Sequence, residues 1–186
     1  MIFKLDNVSD LSMARWAAAE GFSYITFNFE RDSNYFISPQ NASQITGWLS
    51  GPKIVARISM DELNQIQDIY EILKFDVLEM DLSTYQTMQG FETFPVILRT
   101  GKDTFEAASN IQNSNPQIIA LSLEESRFIF DKRFYQNCLV PNAADASKYG
   151  CFPLGIHLNA GSQNEPEFDL FDFFEKSRHT WNKTIV

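Results

Sequence analysis

The chain has 186 residues and a formal net charge of −9 at neutral pH, with 44% apolar and 21% charged residues. This length suits one domain with a substantial core and is short for two. The charge argues against a nucleic-acid partner, because a phosphate backbone requires clustered Lys and Arg, and the fifteen basic residues are scattered. No stretch approaches the roughly 20 apolar residues of a membrane span, so no membrane partner is expected.

Strand-like sequence begins directly after Met1, which leaves no room for a secretory signal. We therefore expect a cytoplasmic protein, in which Cys138 and Cys151 are reduced thiols. Neither cysteine has metal-ligand spacing or a nearby histidine. No metal and no other cofactor is expected.

Short apolar runs rich in β-formers alternate with helical patterns along the whole chain. Strands are predicted over residues 2–5, 23–29, 53–58, 76–80, 95–99, 118–122, 138–140 and 155–159. Helices are predicted over residues 10–20, 40–49, 61–73, 83–89, 104–112, a short piece from 143, and 169–181. Ser38 followed by Pro39 is a typical cap and first position of the second helix.

Eight βα units predict an α/β fold, a compact single-domain (β/α)8 TIM barrel that spans residues 1–186. The units average about 23 residues, so several helices must be short or degenerate. An open doubly wound sheet is the alternative, but no G-x-G-x-x-G follows the first strand.

In such a barrel the active site lies at the carboxyl ends of the strands, and these ends are strongly polar here. Strand ends are exposed to solvent, and this alone explains part of the polar pattern. Solvent exposure explains less well the charged residues inside apolar runs, Arg57 within KIVARI and Glu79 within DVLEM. The candidate site residues at these ends include Asp6, Arg57, Asp81, Arg99, Glu124, Asn142, Asn159 and Ser162.

SNYFISPQNASQI (33–45) and GIHLNAGSQNEPEFD (155–169) are more specific than the repeat of strands and helices. The first resembles the S-P-R-Y-[IV]-S-P segment, and the second the G-[IV]-D-[VL]-[NS]-S-G-V-E signature, of the phosphoribosylanthranilate isomerases of tryptophan biosynthesis. The opening KLDN then falls on the family's K-[IV]-C-G. The resemblance implies a (β/α)8 barrel and an Amadori rearrangement that uses a general base, a general acid and a phosphate cradle of backbone N–H groups.

The chain departs from that family at the positions that carry the chemistry. Asp6 stands where the family has its catalytic Cys, and Ser122 or Glu124 stands where it has its acidic Asp. An ordinary Asp is too weak a base, and Ser too weak an acid, so Asp6 and Glu124 become the catalytic candidates only if burial raises their pKa values. Tyr35 replaces the Arg expected to pair with the substrate carboxylate.

The phosphate cradle that the resemblance implies is partly lost. The seventh loop has Pro141 and Asn142 in place of a glycine pair, whereas Gly161 and Ser162 remain in the eighth loop. Arg57 and Arg99 are the cations expected to neutralise a ligand. The expected partner is a small molecule such as a sugar phosphate, and the oligomeric state is left open.

Three functions remain open from the sequence. The first is a barrel that has lost the isomerisation and binds or transforms another small metabolite. The second is a working phosphoribosylanthranilate isomerase. The third is a non-catalytic protein-interaction scaffold, with Trp48 and Trp181 as surface candidates. The enzymatic interpretations require that Asp6 is not held in an ion pair with Lys4 or Arg57.

Overall fold

Eight parallel strands form a closed barrel in which neighbours in sequence are neighbours in the sheet and β8 pairs with β1. The computed structural model describes residues 2–88, 93–124, 138–141, 154–160, 171–172, 174–176 and 178–179. The predicted TIM barrel is confirmed. The strands are β1 Ile2–Asp6, β2 Tyr24–Asn28, β3 Lys53–Arg57, β4 Val77–Asp81, β5 Val96–Thr100, β6 Ile118–Leu123, β7 Cys138–Val140 and β8 Gly155–Asn159.

The helices between these strands are short, as the spacing of the units predicted. Those with defined bounds contain six to ten residues. They are α1 Leu11–Ala19, α2 Pro39–Thr46, α3 Ile66–Leu73, α4 Leu82–Thr87 and α5 Phe105–Ser114. Residues 171–172, 174–176 and 178–179 are also helical, within the predicted closing helix. The predicted segment from residue 143 lies outside the described residues.

Helix starts follow the local capping chemistry. The Ser38 side chain accepts the Asn41 backbone N–H at 3.2 Å, and Pro39 opens α2, as predicted. The third helical segment differs from its prediction, because a 3-10 helix over Met60–Gln65 precedes α3. There the buried Glu62 carboxylate accepts both the Ser59 backbone N–H at 3.1 Å and the Ser59 hydroxyl at 2.5 Å.

The barrel closes where β8 meets β1. Five residue pairs join these strands, from Ile2 with Gly155 to Asp6 with Asn159. Gly155 is required by close approach, because a Cβ built there would lie 2.1 Å from the Ile2 carbonyl oxygen. This seam places the end of β8 beside the end of β1, where polar residues accumulate.

The apolar core has two parts separated by the sheet. The larger part packs strand residues such as Leu5 and Phe27 against helix residues such as Ala14 and Ile45. The smaller part is built from strand residues that face the barrel interior: Val55, Val77, Ile97, Ala120 and Leu139. Because strand side chains alternate, the inward positions beyond this plug are the polar ones.

The aromatic side chains outside the barrel differ in exposure. Phe174 is buried against Phe3, Trp16 and Phe22, with ring centroids 5.0 to 5.3 Å apart. Trp48 is 74% exposed. Trp181 lies outside the described residues. Across the described ranges, we find no helix with the length and apolarity needed to cross a bilayer.

Candidate functional site

A layer of buried charge fills the barrel interior above the apolar plug. Lys4 on β1 is fully buried, as is Glu79 on β4. Asp6 and Arg57 are also buried, at the carboxyl ends of β1 and β3. Side chains along a strand point alternately to the two faces of the sheet, and the strands are paired so that Arg57 lies opposite Glu79. These side chains therefore meet inside the barrel. Two cations and two carboxylates thus share one dry volume.

The four groups form a closed ion-pair network. The Lys4 ammonium donates to Asp6 Oδ1 and to Glu79 Oε1, the latter at 2.9 Å. Arg57 Nη2 lies 3.1 Å from both Asp6 Oδ1 and Glu79 Oε2, and Arg57 Nε donates to Glu79 Oε2 at 3.1 Å. Each carboxylate therefore contacts both cations, which is the pairing that burial of a charge requires.

This network fixes the ionisation of its members. Burial alone would raise the pKa of Asp6, but Lys4, Arg57 and a hydrogen bond from His157 hold that pKa well below its ordinary value. Burial likewise opposes ionisation of Glu79, and Arg57 and Lys4 lower its pKa. Burial would lower the pKa of Arg57, which the two carboxylates instead raise. The condition that a catalytic Asp6 needs, a raised pKa, is not met.

His157 on β8 connects the network to the opposite wall. Its Nδ1 lies 3.0 Å from Asp6 Oδ2, and its Nε2 lies 2.9 Å from the backbone carbonyl oxygen of Leu123 on β6. The side chain is 15% exposed and so reaches the barrel mouth, which we define as the end of the barrel formed by the carboxyl ends of the strands. Both Asp6 oxygens are therefore engaged.

Three asparagines form the next layer of the mouth. Asn7 has φ 57°, a left-handed conformation that Asn tolerates better than most residues and Gly adopts freely. Asn7 Nδ2 donates to Asn159 Oδ1 at 2.9 Å, and Asn28 Nδ2 donates to Asn7 Oδ1 at 3.2 Å. Arg57 Nη1 also donates to Asn7 Oδ1, at 3.2 Å. The predicted site residues Arg57 and Asn159 thus belong to one hydrogen-bonded assembly.

Arg99 is more exposed than Arg57. Its Nη2 pairs with Glu30 Oε1, and its side chain is 22% exposed, against 10% for Arg57. Its Nε is buried and has no hydrogen-bond partner among the described residues. The exposed part of this guanidinium is able to donate hydrogen bonds to a planar anionic group.

Asp81 and Glu124, also predicted site residues, lie apart from the ion-pair network. The Asp81 carboxylate caps α4 by accepting the Thr84 backbone N–H at 2.7 Å and the Ser83 hydroxyl at 2.8 Å. Burial opposes ionisation of Asp81, but these hydrogen bonds lower its pKa. Glu124 is exposed and lies beside Gly101, where an added Cβ would be 3.2 Å from Glu124 Oε2. His157 is the group that reaches from Asp6 toward this end of β6.

Beside the mouth, the ends of β2 and β3 border a cleft of about 600 Å³. Its lining is mainly acidic and amide-bearing: Glu30, Arg31, Asp32, Ser33, Ser59, Asp61, Glu62 and Gln65. Carboxylates of this density disfavour an anion. Arg99, on the other side of Glu30, is the better place for one.

The sequence did not identify His157 as a member of the site, named Lys4 only as a possible ion-pair partner of Asp6, and could not place three other residues. Lys4 and His157 are polar residues within strands, the same signal that singled out Arg57 and Glu79. The predicted residues Asn142, Gly161 and Ser162 lie outside the described residues and stay predictions.

Solved barrels of similar fold include isomerases of the family that the motifs resemble. Monomers of dimeric phosphoribosylanthranilate isomerase from Thermotoga maritima superpose with a TM-score of 0.73 at 17% identity, over 97% of this chain and 98% of that one. A phosphoribosylanthranilate isomerase in complex with reduced 1-(o-carboxyphenylamino)-1-deoxyribulose 5-phosphate gives 0.73 at 18%, over 94% and 95%. The fold that the resemblance implied is confirmed.

A barrel with a different activity is similar as well. The phospho-2-dehydro-3-deoxyheptonate aldolase of Thermotoga maritima gives a TM-score of 0.66 at 12% identity, over 98% of this chain and 68% of that one. No protein-family model and no curated protein matches the sequence. The similarity establishes the fold, and the chemistry must be argued from the site.

Proposed function

We propose that this chain is a phosphoribosylanthranilate-isomerase-like barrel that has lost the Amadori isomerisation and binds another small anionic metabolite at the mouth. The observation that carries the proposal is the state of Asp6, at the position of the family's catalytic Cys. Its carboxylate is buried in contact with Lys4, Arg57 and His157. A group so stabilised as an anion has little affinity for a substrate proton.

General acid–base catalysis requires a group whose pKa lies near the working pH and whose lone pair reaches the substrate. Asp6 has a strongly lowered pKa, and both of its oxygens already accept bonds. Moving Asp6 toward a ligand would leave Lys4 and Arg57 partly unpaired in a dry interior, which is costly. These properties support a structural role for Asp6 and leave Glu124 as the remaining predicted acid or base.

Ligand binding is supported by Arg99. Arg57 pairs with Asp6 and donates to Glu79 and Asn7, whereas Arg99 pairs with Glu30 and keeps 22% of its side chain exposed. A phosphate or carboxylate at the mouth would meet Arg99 as the more accessible cation. Asn159 lies at the same end of the barrel, and Asn142, Gly161 and Ser162 remain predicted ligand contacts.

A working isomerase is the second candidate, and the fold similarity to an isomerase with a bound phosphorylated ligand favours it. Expression in a strain that lacks the isomerase separates the two candidates, with a functional isomerase on the same vector as the positive control. We expect soluble protein and no growth without tryptophan. Growth would show that the isomerisation is retained.

Binding is tested separately by titration calorimetry with D-ribose 5-phosphate and with inorganic sulfate. We expect Arg99→Met to weaken binding about tenfold or more, as loss of a charged hydrogen bond does. Arg15→Met removes an exposed cation of α1 and is the matched control, with unchanged affinity. If neither probe binds, or if both variants behave alike, the mouth is not the anion site.

A further inference from the structure

The histidine between β1 and β6 faces two hydrogen-bond acceptors. We infer that His157 is a pH-sensitive positioning residue of the mouth: its doubly protonated ring joins Asp6 on β1 to the Leu123 carbonyl on β6, and loss of one proton releases one of these bonds. The inference on the bridge stands on the geometry alone. Its consequence for ligand binding rests on the proposed function.

The number of N–H groups on the His157 ring decides which of these two bonds can form. An ionised carboxylate and a backbone carbonyl oxygen only accept hydrogen bonds. A neutral imidazole has one N–H, so either tautomer would point a nitrogen lone pair at an oxygen about 3 Å away. The imidazolium has two N–H groups, and it alone satisfies Asp6 and the Leu123 carbonyl together.

The surrounding charges come from several strands. Asp6 contacts the ring directly. Lys4 and Arg57 pair with Asp6, and both also pair with Glu79. From β6, Ser122 is buried and Glu124 is exposed next to the accepting carbonyl. The positions of β7 that pair with β8 are apolar. The four permanent charges of the network cancel, so the protonated ring adds one net positive charge to the mouth.

Deprotonation has two consequences for the mouth. The end of β6, from which Glu124 projects, loses its tie to Asp6. The lumen also loses one positive charge, which lowers the affinity for an anion. We therefore expect sulfate, whose charge does not change near neutral pH, to bind more weakly where the ring is neutral than where it is doubly protonated.

Nuclear magnetic resonance tests the bridge in the intact chain, which contains only two histidines. His179, which is exposed on the closing helix, is the internal reference, and His179→Gln assigns the two imidazole signals. We expect titration of the His157 ring nitrogens to move the Leu123 carbonyl carbon, read through the Glu124 amide, with the same midpoint. Titration of His157 that leaves the Leu123 carbonyl and Asp6 carboxyl signals unchanged would overturn the inference.

The binding measurement keeps this inference distinct from the proposed function. His157→Gln retains a polar side chain without a titrating ring, and we expect it to abolish the pH dependence of sulfate affinity. If the ring and the carbonyl titrate together but sulfate does not bind at any pH, the bridge stands and the proposed anion site fails. If sulfate binds with the same pH dependence in His157→Gln, the inference fails and the anion site stands.

Discussion

Removal of the buried lysine tests whether the charge layer stabilises the barrel. Lys4→Met keeps the length and apolar stem of the side chain but removes an ammonium that contacts Asp6 and Glu79. Both carboxylates must then share Arg57. Breaking a buried pair by removing one partner costs about 3 to 5 kcal/mol. Because single domains are stable by about 5 to 15 kcal/mol, the variant should lose about a fifth or more of its stability.

The measurement is urea unfolding followed by circular dichroism and tryptophan fluorescence. Lys176→Met is the matched control, since that lysine is exposed and pairs with Asp172 at the surface, and its loss should cost less than about 0.5 kcal/mol. The double variant Lys4→Met/Glu79→Gln leaves Asp6 and Arg57 as a balanced pair. It should cost less than the sum of the two single changes.

Two results would contradict this expectation: a decrease of less than about 1 kcal/mol in the free energy of unfolding of Lys4→Met, or additive effects of the two single changes in the double variant. The first result would mean that the network is paired only loosely. The second would mean that Lys4 and Glu79 act independently despite their 2.9 Å contact.

Two further predictions concern acid stability and the barrel seam. Because the pKa values of Asp6 and Glu79 are lower in the folded state than in the unfolded state, the stability they contribute is complete above the unfolded pKa of about 4 and is lost as the pH falls through the folded values. Urea unfolding of His157→Gln, which lacks the imidazole, should therefore show constant stability from about pH 7 to about pH 5 and a decline below about pH 4; equal stability at about pH 3 and 7 contradicts this. Gly155→Ala should destabilise by about 3 kcal/mol or more, since its Cβ would lie 2.1 Å from a backbone oxygen, whereas Gly47→Ala, whose nearest neighbours are 3.6 Å away, should change thermal stability little. If Gly155→Ala has the same thermal unfolding midpoint as the wild type, the contact between β1 and β8 accommodates the added Cβ without loss of stability.

The strands could be predicted because each is a short apolar run bounded by turn residues. Cys138–Val140 and Gly155–Asn159 have the predicted bounds, and the other strands differ by one or two residues at their ends. The 3-10 helix before α3 could not be predicted from periodicity, because it depends on the reciprocal bonds of Ser59 and Glu62. Local patterns thus determine where elements occur, and side-chain bonds determine how they begin.

The candidate site was less predictable, because its contacts join distant parts of the sequence. Lys4 and Glu79 are 75 residues apart, and His157 meets Asp6 across 151 residues. No local pattern tells whether an inward carboxylate will face a cation or a ligand. The sequence could flag Asp6, Arg57 and Glu79 as unusual, whereas only the closed barrel shows that they compensate one another.

The closure of the barrel by its first and last strands also bears on how the chain folds during synthesis. Ile2 pairs with Gly155, so one edge of β1 stays open until about 150 further residues have been made. At typical elongation rates this takes roughly ten to thirty seconds, during which an unpaired edge invites aggregation. Inward charges discourage an open strand from pairing with other chains. We therefore expect Lys4 and Asp6, as inward charges on β1, to disfavour such pairing before the barrel closes.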